Sequence, residues 1–441
     1  MNQKRVIFNA KLELLAPLLI SSGNSNIDVD IQVIKDSNGI PFIPATSFIG
    51  VLKSIFSENY DTNKSNKLFG FDFQSSIKCH DLKSLNIINT EIRDGIKIDR
   101  KTNITKDGSK YNYEVVPFGS KFNIILEFYK ENEKQDEELF KSLLTLICNS
   151  KFNIGAKTTS GFGRVQISEP KVYELDFSNR EQFEAWLEYD FSKTWFNNNK
   201  ETENYILPEK NHYFNITMDL SLKNSIIIKD YNSNIYSDAQ SLKSNGKYVI
   251  SGTSFKGVLS NRIEKILNTL DIKNPKKIMD ELFGTEEKEN TRKGRVFVDE
   301  YFIENIVPEI QNRVKIDRFT GGTINSALFN NTPLWNTHQD EKNLSVEIRV
   351  KKPKQHEIGL LLLACKDLFE GDLTIGGEKN IGRGVFKGLE LNINNLSYKN
   401  QNNEEKLKPI KITSFKNNVS KEHKKILEPF IQSIKENINN A

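Results

Sequence analysis

Residues 43–52 read Ile-Pro-Ala-Thr-Ser-Phe-Ile-Gly-Val-Leu, and residues 250–259 read Ile-Ser-Gly-Thr-Ser-Phe-Lys-Gly-Val-Leu. Seven of the ten positions are identical. Working outward, Leu68-Phe69-Gly70 recurs as Leu282-Phe283-Gly284, and Lys97-Ile98-Asp99-Arg100 as Lys315-Ile316-Asp317-Arg318. KFNIILEFY at 121–129 is answered by NLSVEIRV at 343–350, and IGAKTTSGFGRV at 154–165 by IGGEKNIGRGVF at 375–386. The offset grows from 207 to 221 residues along the chain, so loops have lengthened while the order has held. Five matches in one order mark a duplicated domain.

Composition fits that reading. The 441 residues are enough for two or three domains, each with its own core. Hydrophobic residues are 37% and charged residues 27%, too apolar for a disordered chain. No apolar run approaches the ~18 residues that span a bilayer. The opening MNQKRVIFNAKLELL lacks the uniform apolar core of a signal peptide, so the expected location is cytoplasmic. Three separated cysteines, Cys79, Cys148 and Cys365, exclude a disulfide framework and disfavour a cysteine zinc site. A formal net charge of +4 does not by itself announce a nucleic-acid binder.

Each copy has the same predicted element order. The first strand runs near Val6–Leu15 in one copy and Tyr213–Leu222 in the other, with apolar residues alternating. Thr46-Ser47 and Thr253-Ser254 read as N-caps of the first helix. A later strand buries Phe122, Ile124, Leu126 and Phe128, or Leu344, Val346, Ile348 and Val350. Apolar helices follow at 137–149 and 357–369, then the glycine loop and a last strand. Strand, helix, strand, strand, helix, strand is the ferredoxin-like order of an α+β fold. The expected domains are 1–175 and 212–395, joined by a linker at 176–211 with a helical stretch. A tail at 396–441 ends in an amphipathic helix carrying Ile426, Phe430 and Ile434.

Three groups of recurring residues could carry chemistry. Gly155, Gly161 and Gly163 have the spacing of Gly376, Gly382 and Gly384, with Lys157, Arg164, Lys379 and Arg383 nearby. Such a loop either binds a phosphate backbone through its N–H groups or closes a tight turn. No dinucleotide or Walker fingerprint occurs. Asp30 and Asp238 align, with one gap, before the shared helix start. Loop aspartates form turns, or hold a hydrated Mg²⁺ or help activate a ribose hydroxyl. The polar stretches after the two KIDR sequences carry Tyr111, Tyr113 and Phe118, or Phe319, Phe329 and Trp335. Those aromatics either stack on bases or pack on their own domain. Asp99-Arg100 and Asp317-Arg318 are candidate ion pairs at the base of these hairpins. The five histidines show no metal or triad spacing.

At these motifs the sequence resembles the RAMP superfamily, in particular the repeating backbone subunit of type III CRISPR effector complexes. The matching pieces are the helix start, the IDR element before a thumb hairpin, the VPFG turn at 116–119 and the glycine loop. Two fused copies resemble the double-backbone subunits of type III-D complexes. The resemblance implies two tandem ferredoxin-like (RRM-like) domains, each with a thumb hairpin insertion, that hold guide RNA across the palm. It implies a kink in the guide–target duplex every sixth nucleotide. It also implies metal-dependent cleavage of target RNA by a loop aspartate, using Mg²⁺ or Mn²⁺. That aspartate falls on Asp30 and Asp238, with Asp28 a rival two residues away. Implied guide contacts are Ser47, Lys53, Arg100, Gly155, Lys157, Gly161, Gly163 and Arg164 in the first copy. In the second they are Ser254, Lys256, Arg318, Gly376, Gly377, Lys379, Gly382 and Arg383. Ile49 replaces the family's basic residue in the first helix start, Ala156 replaces a loop glycine, and the second copy lacks the VPFG turn.

The leading expectation is therefore an endoribonuclease subunit of an antiviral ribonucleoprotein. Its partners would be guide RNA, single-stranded target RNA and other type III subunits, including the large subunit, with no membrane. One rival is a non-catalytic RNA-binding scaffold. Another is a guide-precursor processing nuclease, which would want a histidine near the glycine loop or first helix.

Overall fold

The alternating stretches become central strands in the computed structural model. It describes residues 4–23, 25, 29–71, 74–99, 102, 105–130, 134–202, 214–230, 237–285, 291–394, 397–400, 403–406, 408–415 and 421–439. In the first repeat six elements carry the fold: β1 (Lys4–Leu14), α1 (Ala45–Asn59), β2 (Ile77–Cys79), β3 (Lys121–Lys130), α2 (Lys134–Cys148) and β4 (Arg164–Asp176). The second repeat has β5 (Phe214–Leu222), α3 (Gly252–Thr269), β6 (Val296–Phe297), β7 (Leu344–Val350), α4 (Gln355–Glu370) and β8 (Phe386–Asn394).

The sheets run β2-β3-β1-β4 and β6-β7-β5-β8, all antiparallel, each with one more short strand beyond the last. This is the ferredoxin-like order, reached twice. The reason lies in the period-2 pattern. Val6, Phe8, Leu12, Phe122, Ile124, Leu126 and Phe128 fall on one face and pack with Phe48, Leu52 and Phe140 of the helices. Leu344, Val346, Ile348 and Val350 do the same in the second core. Fully burying one such side chain contributes about 1.5–3 kcal/mol, so the alternating face fixes the register.

The chain divides into two compact units. The first holds Met1–Glu91, Glu114–Thr158 and Phe162–Asn211; the second holds Ile92–Tyr113, Thr159–Gly161 and His212–Ala441. Two pieces of the first repeat, its thumb and the tip of its glycine loop, thus belong to the second unit.

Two features differ from the sequence expectation. The first helices begin before the Thr-Ser pairs. Pro44 precedes α1 and Asp81 Oδ1 accepts the Ala45 N–H at 2.8 Å; Ser251 caps α3 by accepting the Ser254 N–H at 3.3 Å. Thr46-Ser47 and Thr253-Ser254 therefore lie within the first turn, where Asp81, remote in sequence, or Ser251, just ahead of the helix, already satisfies an orphan donor. The stretch after β4 is also more than a connection. Helices Arg180–Leu187 and Lys193–Asn198 lay Trp195 and Phe196 against Ile7, Ile125 and Tyr173 on the second face of the first sheet. In the second unit the terminal helix Lys421–Asn439 buries Phe430 and Ile434 against α4. No described helix is long and apolar enough to cross a membrane.

Candidate nucleic-acid interface

The recurring glycines close a turn. Gly163 (φ +67°) and Gly384 (φ +73°) occupy the left-handed region, where a Cβ would stand 1.8 Å from the carbonyl oxygen of Ile154 or Ile375. No other residue fits there. The loop folds onto the segment after the first strand: Gly163 N–H donates to Pro17 O and Ala156 N–H to Leu19 O. In the second repeat Gly384 N–H donates to Ser225 O and Gly377 N–H to Ile227 O. Those donors are spent inside the fold, which accounts for the preserved spacing without a phosphate. Gly155 and Gly376 have their own close approaches, to Leu19 O and Ile227 O.

The charges around the loop also resolve differently from the sequence pairing. Lys157 (φ +52°) and Glu378 (φ +57°) share one position, so the repeats carry opposite charges there. Arg383 stands where the first repeat has Phe162, and is 3% exposed. Its guanidinium donates to Glu378 Oε2 at 2.8 Å, to Ser225 Oγ at 2.9 Å and to Gln311. Glu378 also meets Lys229 (3.3 Å), Arg313 (3.1 Å) and Asn331. Burial works against its ionisation, yet Lys229, Arg313 and Arg383 outweigh it and hold Glu378 below the usual carboxylate range. Arg383 braces the thumb. It does not face solvent.

The second thumb is the hairpin Gln311–Ile316 and Thr323–Thr332. The KIDR sequence leads into its tip rather than standing at its base. Asp317 Oδ1 accepts the N–H groups of Phe319 and Thr320 at 2.8 Å and forms no ion pair with Arg318 among the described residues. Those bonds lower the Asp317 pKa. Asp99 likewise accepts from Thr102 N at 3.0 Å, so both aspartates are turn formers. Phe319 at the tip is 100% exposed with Arg318 next to it in the chain and also in solvent, and Phe329, opposite Arg313 further down the hairpin, is exposed too. Tyr113, by contrast, is buried.

Asp30 and Asp238 occupy equivalent exposed positions at the thumb bases. The residue after each joins the thumb's returning strand: Ile31 O accepts the Glu114 N–H at 2.9 Å, and Ala239 pairs in parallel with Asn331. Asp238 is held further. Its Oδ2 accepts the Asn330 N–H at 2.8 Å, and its own N–H donates to Asn330 Oδ1 at 2.7 Å. In the first repeat buried Glu114 plays the holding part, accepting from Val33 N at 3.0 Å, Lys35 Nζ at 2.6 Å and Thr90. Burial opposes its charge, but these donors prevail and lower its pKa. Sequence reasoning missed Glu114, Asn330 and Glu378. A charged residue amid the buried run Tyr113–Val116 was the available signal for the first.

The profile of the RAMP superfamily matches residues 11–166 and again 221–387. The chain belongs to the RAMP superfamily. No curated protein matches it. Both matches run from the end of the first strand to just past the glycine loop.

The remaining implied guide contacts of the two RAMP repeats divide by exposure. Ser47, Gly382, Lys379 and Arg318 face solvent. Lys53 donates to Gly70 O at 3.3 Å, and Ser254 lies in the Ser251 cap. Lys256 is buried, with Nζ donating to Thr159 Oγ1 at 2.7 Å; burial, then Lys293, pushes its pKa down to about 8. Gly161 is buried beside it, Arg164 is half-buried at the start of β4, and Arg100 and Asp28 lie outside the described residues. His80 Nε2 stands 2.6 Å from buried Glu127 Oε1, a pairing that spacing could not show. Among the described residues no three His, Cys, Asp or Glu side chains gather to hold a metal. Each thumb base offers one exposed carboxylate, a donor set that fits a mostly hydrated Mg²⁺ or Mn²⁺ shared with RNA phosphates.

Proposed function

We propose that this RAMP protein is a backbone subunit of a type III CRISPR ribonucleoprotein that binds guide RNA and cuts target RNA at two sites six nucleotides apart. The observation that carries the reading is the matched placement of Asp30 and Asp238, each exposed and one residue ahead of the residue that bonds to the thumb's returning strand. A thumb that unstacks one nucleotide can set its 2′-OH in line with the neighbouring phosphate. The O2′–P bond then forms as the P–O5′ bond breaks, leaving a 2′,3′-cyclic phosphate and a 5′-OH. Asp30 or Asp238 would accept the 2′-OH proton directly or through a water, while the 5′ oxygen takes a proton from solvent. A bound Mg²⁺ would supply charge stabilisation for the phosphoryl oxygens. The exposed Ser47, Lys379 and Arg318 would contact guide phosphates, with Phe319 as the wedge of the second thumb.

The test is cleavage of an end-labelled target by the guide-loaded protein, in Mg²⁺ and in EDTA. Two Mg²⁺-dependent cuts six nucleotides apart are expected. A guide-dependent complex that leaves the target intact would make the chain a scaffold. Guide affinity should fall steeply with salt and depend little on guide sequence.

A further inference from the structure

The helix Arg180–Leu187 in the first unit buries none of its residues. Trp186 packs inward, its ring 5.8 Å from Phe177 and 5.7 Å from Tyr189, against the apolar cluster on the second face of the first sheet. Phe183 is 40% exposed and Leu187 67% exposed. Four residues apart, they form one stripe along the helix. The stripe continues past the helix end. Tyr189 lies 4.5 Å from Phe191, which is 43% exposed and holds φ +62°, an unfavourable conformation for a bulky side chain.

The charge beside this stripe has one sign. Residues 177–192 carry four carboxylates, Glu181, Glu184, Glu188 and Asp190, all exposed, against Arg180 as the only cation. Helical spacing puts Glu184 and Glu188 in the row next to Phe183 and Leu187. Arg180 answers Glu184 at 2.8 Å, and Asp190 accepts the Ser192 N–H at 2.9 Å while keeping its charge. The whole chain has a formal net charge of +4, so this surface runs against the sign of the rest.

We infer that the stripe is a docking site for a basic amphipathic helix of a partner protein. The partner's aliphatic side chains cover Phe183, Leu187 and Phe191, and its lysines or arginines meet Glu181, Glu184 and Glu188. Charge selects this occupant. RNA phosphates and anionic lipid would face carboxylates, and the same stripe of a second copy would bring like charges together. None of these residues belongs to the thumbs, the glycine loops or the first helices, so the inference does not depend on the cleavage reading.

Fluorescence anisotropy with the full chain tests it. The probe is a labelled helical peptide of about 18 residues with leucines on one face and lysines on the other, long enough to lie along the stripe. The peptide is expected to bind, and to bind less as salt rises. Leu187→Glu, and separately the pair Glu184→Lys and Glu188→Lys, should each weaken it by about tenfold or more. All three side chains are exposed, so the variants should keep the wild-type urea midpoint. Ile87→Glu, at an exposed apolar residue outside the stripe, should bind like wild type. Peptide binding that survives both stripe variants would overturn the proposal. A leucine–glutamate counterpart that binds as tightly would overturn it as well, since charge would then not select the occupant. Loss of guide RNA affinity in Leu187→Glu would make the stripe an RNA surface and would likewise contradict it.

Discussion

Asp238 and Asn330 bond to each other twice: the Asp238 carboxylate accepts the Asn330 backbone N–H, and the Asn330 side chain accepts the Asp238 N–H. The pair ties an exposed loop aspartate to the returning strand of the second thumb. A loop carboxylate on its own samples many positions; this one has a fixed distance from the hairpin that would displace a nucleotide.

Replacing Asn330 with Ala removes one of the two bonds and leaves the backbone donor in place. The exposed setting makes the stability loss small, about 0.5–1.5 kcal/mol. The cut assigned to Asp238 should slow by roughly tenfold through lost positioning, with the cut assigned to Asp30 unchanged. Cleavage time courses resolved by product length check this. Equal slowing of both cuts would place Asn330 in general folding and outside the second site.

The glycine loop gives a test that separates turn closure from phosphate binding. Gly163→Ala puts a Cβ on the Ile154 carbonyl and should destabilise the fold by about 2–4 kcal/mol. Gly382→Ala has open space and only the positive φ to contend with, about 1 kcal/mol. Urea unfolding measures both. Guide affinity per folded molecule should be unchanged in either variant, and a loss in filter binding would restore the phosphate reading of the loop.

Lys256 predicts a pH signature. Its pKa of about 8 in the folded chain lies below the ordinary 10.5, chiefly because of burial. Below pH 8 both states are protonated, and the penalty of burying the charge is fully present. Between about 8 and 10.5 the unfolded chain holds a proton that the folded chain has released, so stability rises with pH. Lys256→Met should be more stable than wild type at pH 7, on the order of 2 kcal/mol, with the gap closing by pH 10. Urea midpoints at the two pH values decide it. A gap that does not change with pH would show that the lysine is not held in a desolvated site.

The fold was legible because its signal is local. Alternation at Phe122–Phe128 and Leu344–Val350 demands two strands with one buried face, and the duplicated order supplied the topology. The helix starts were misplaced by two residues because Thr-Ser looks like a cap wherever it occurs, while Ser251 caps the second from two residues earlier and the first takes its acceptor from Asp81, 36 residues on. The glycine spacing could not choose between turn and phosphate, since both require the same conformational freedom. Asn330 lies 92 residues from Asp238 and Glu114 lies 81 from Val33, so the contacts that place the aspartates exist only after the thumb has folded back. Arg383 looked like a free cation for the same reason: its partners Ser225 and Gln311 are remote in sequence.

The central claim is that Asp30 and Asp238 each make one cut, and mapping 5′-OH product ends tests it most directly. Asn at either position keeps the shape and the acceptor oxygen but removes the negative charge. With Mg²⁺ present, Asp30→Asn should erase one product and Asp238→Asn a second, displaced by six nucleotides, with guide binding within about a factor of three of wild type. Survival of every cut in both variants would contradict the account and leave the protein an RNA-binding scaffold.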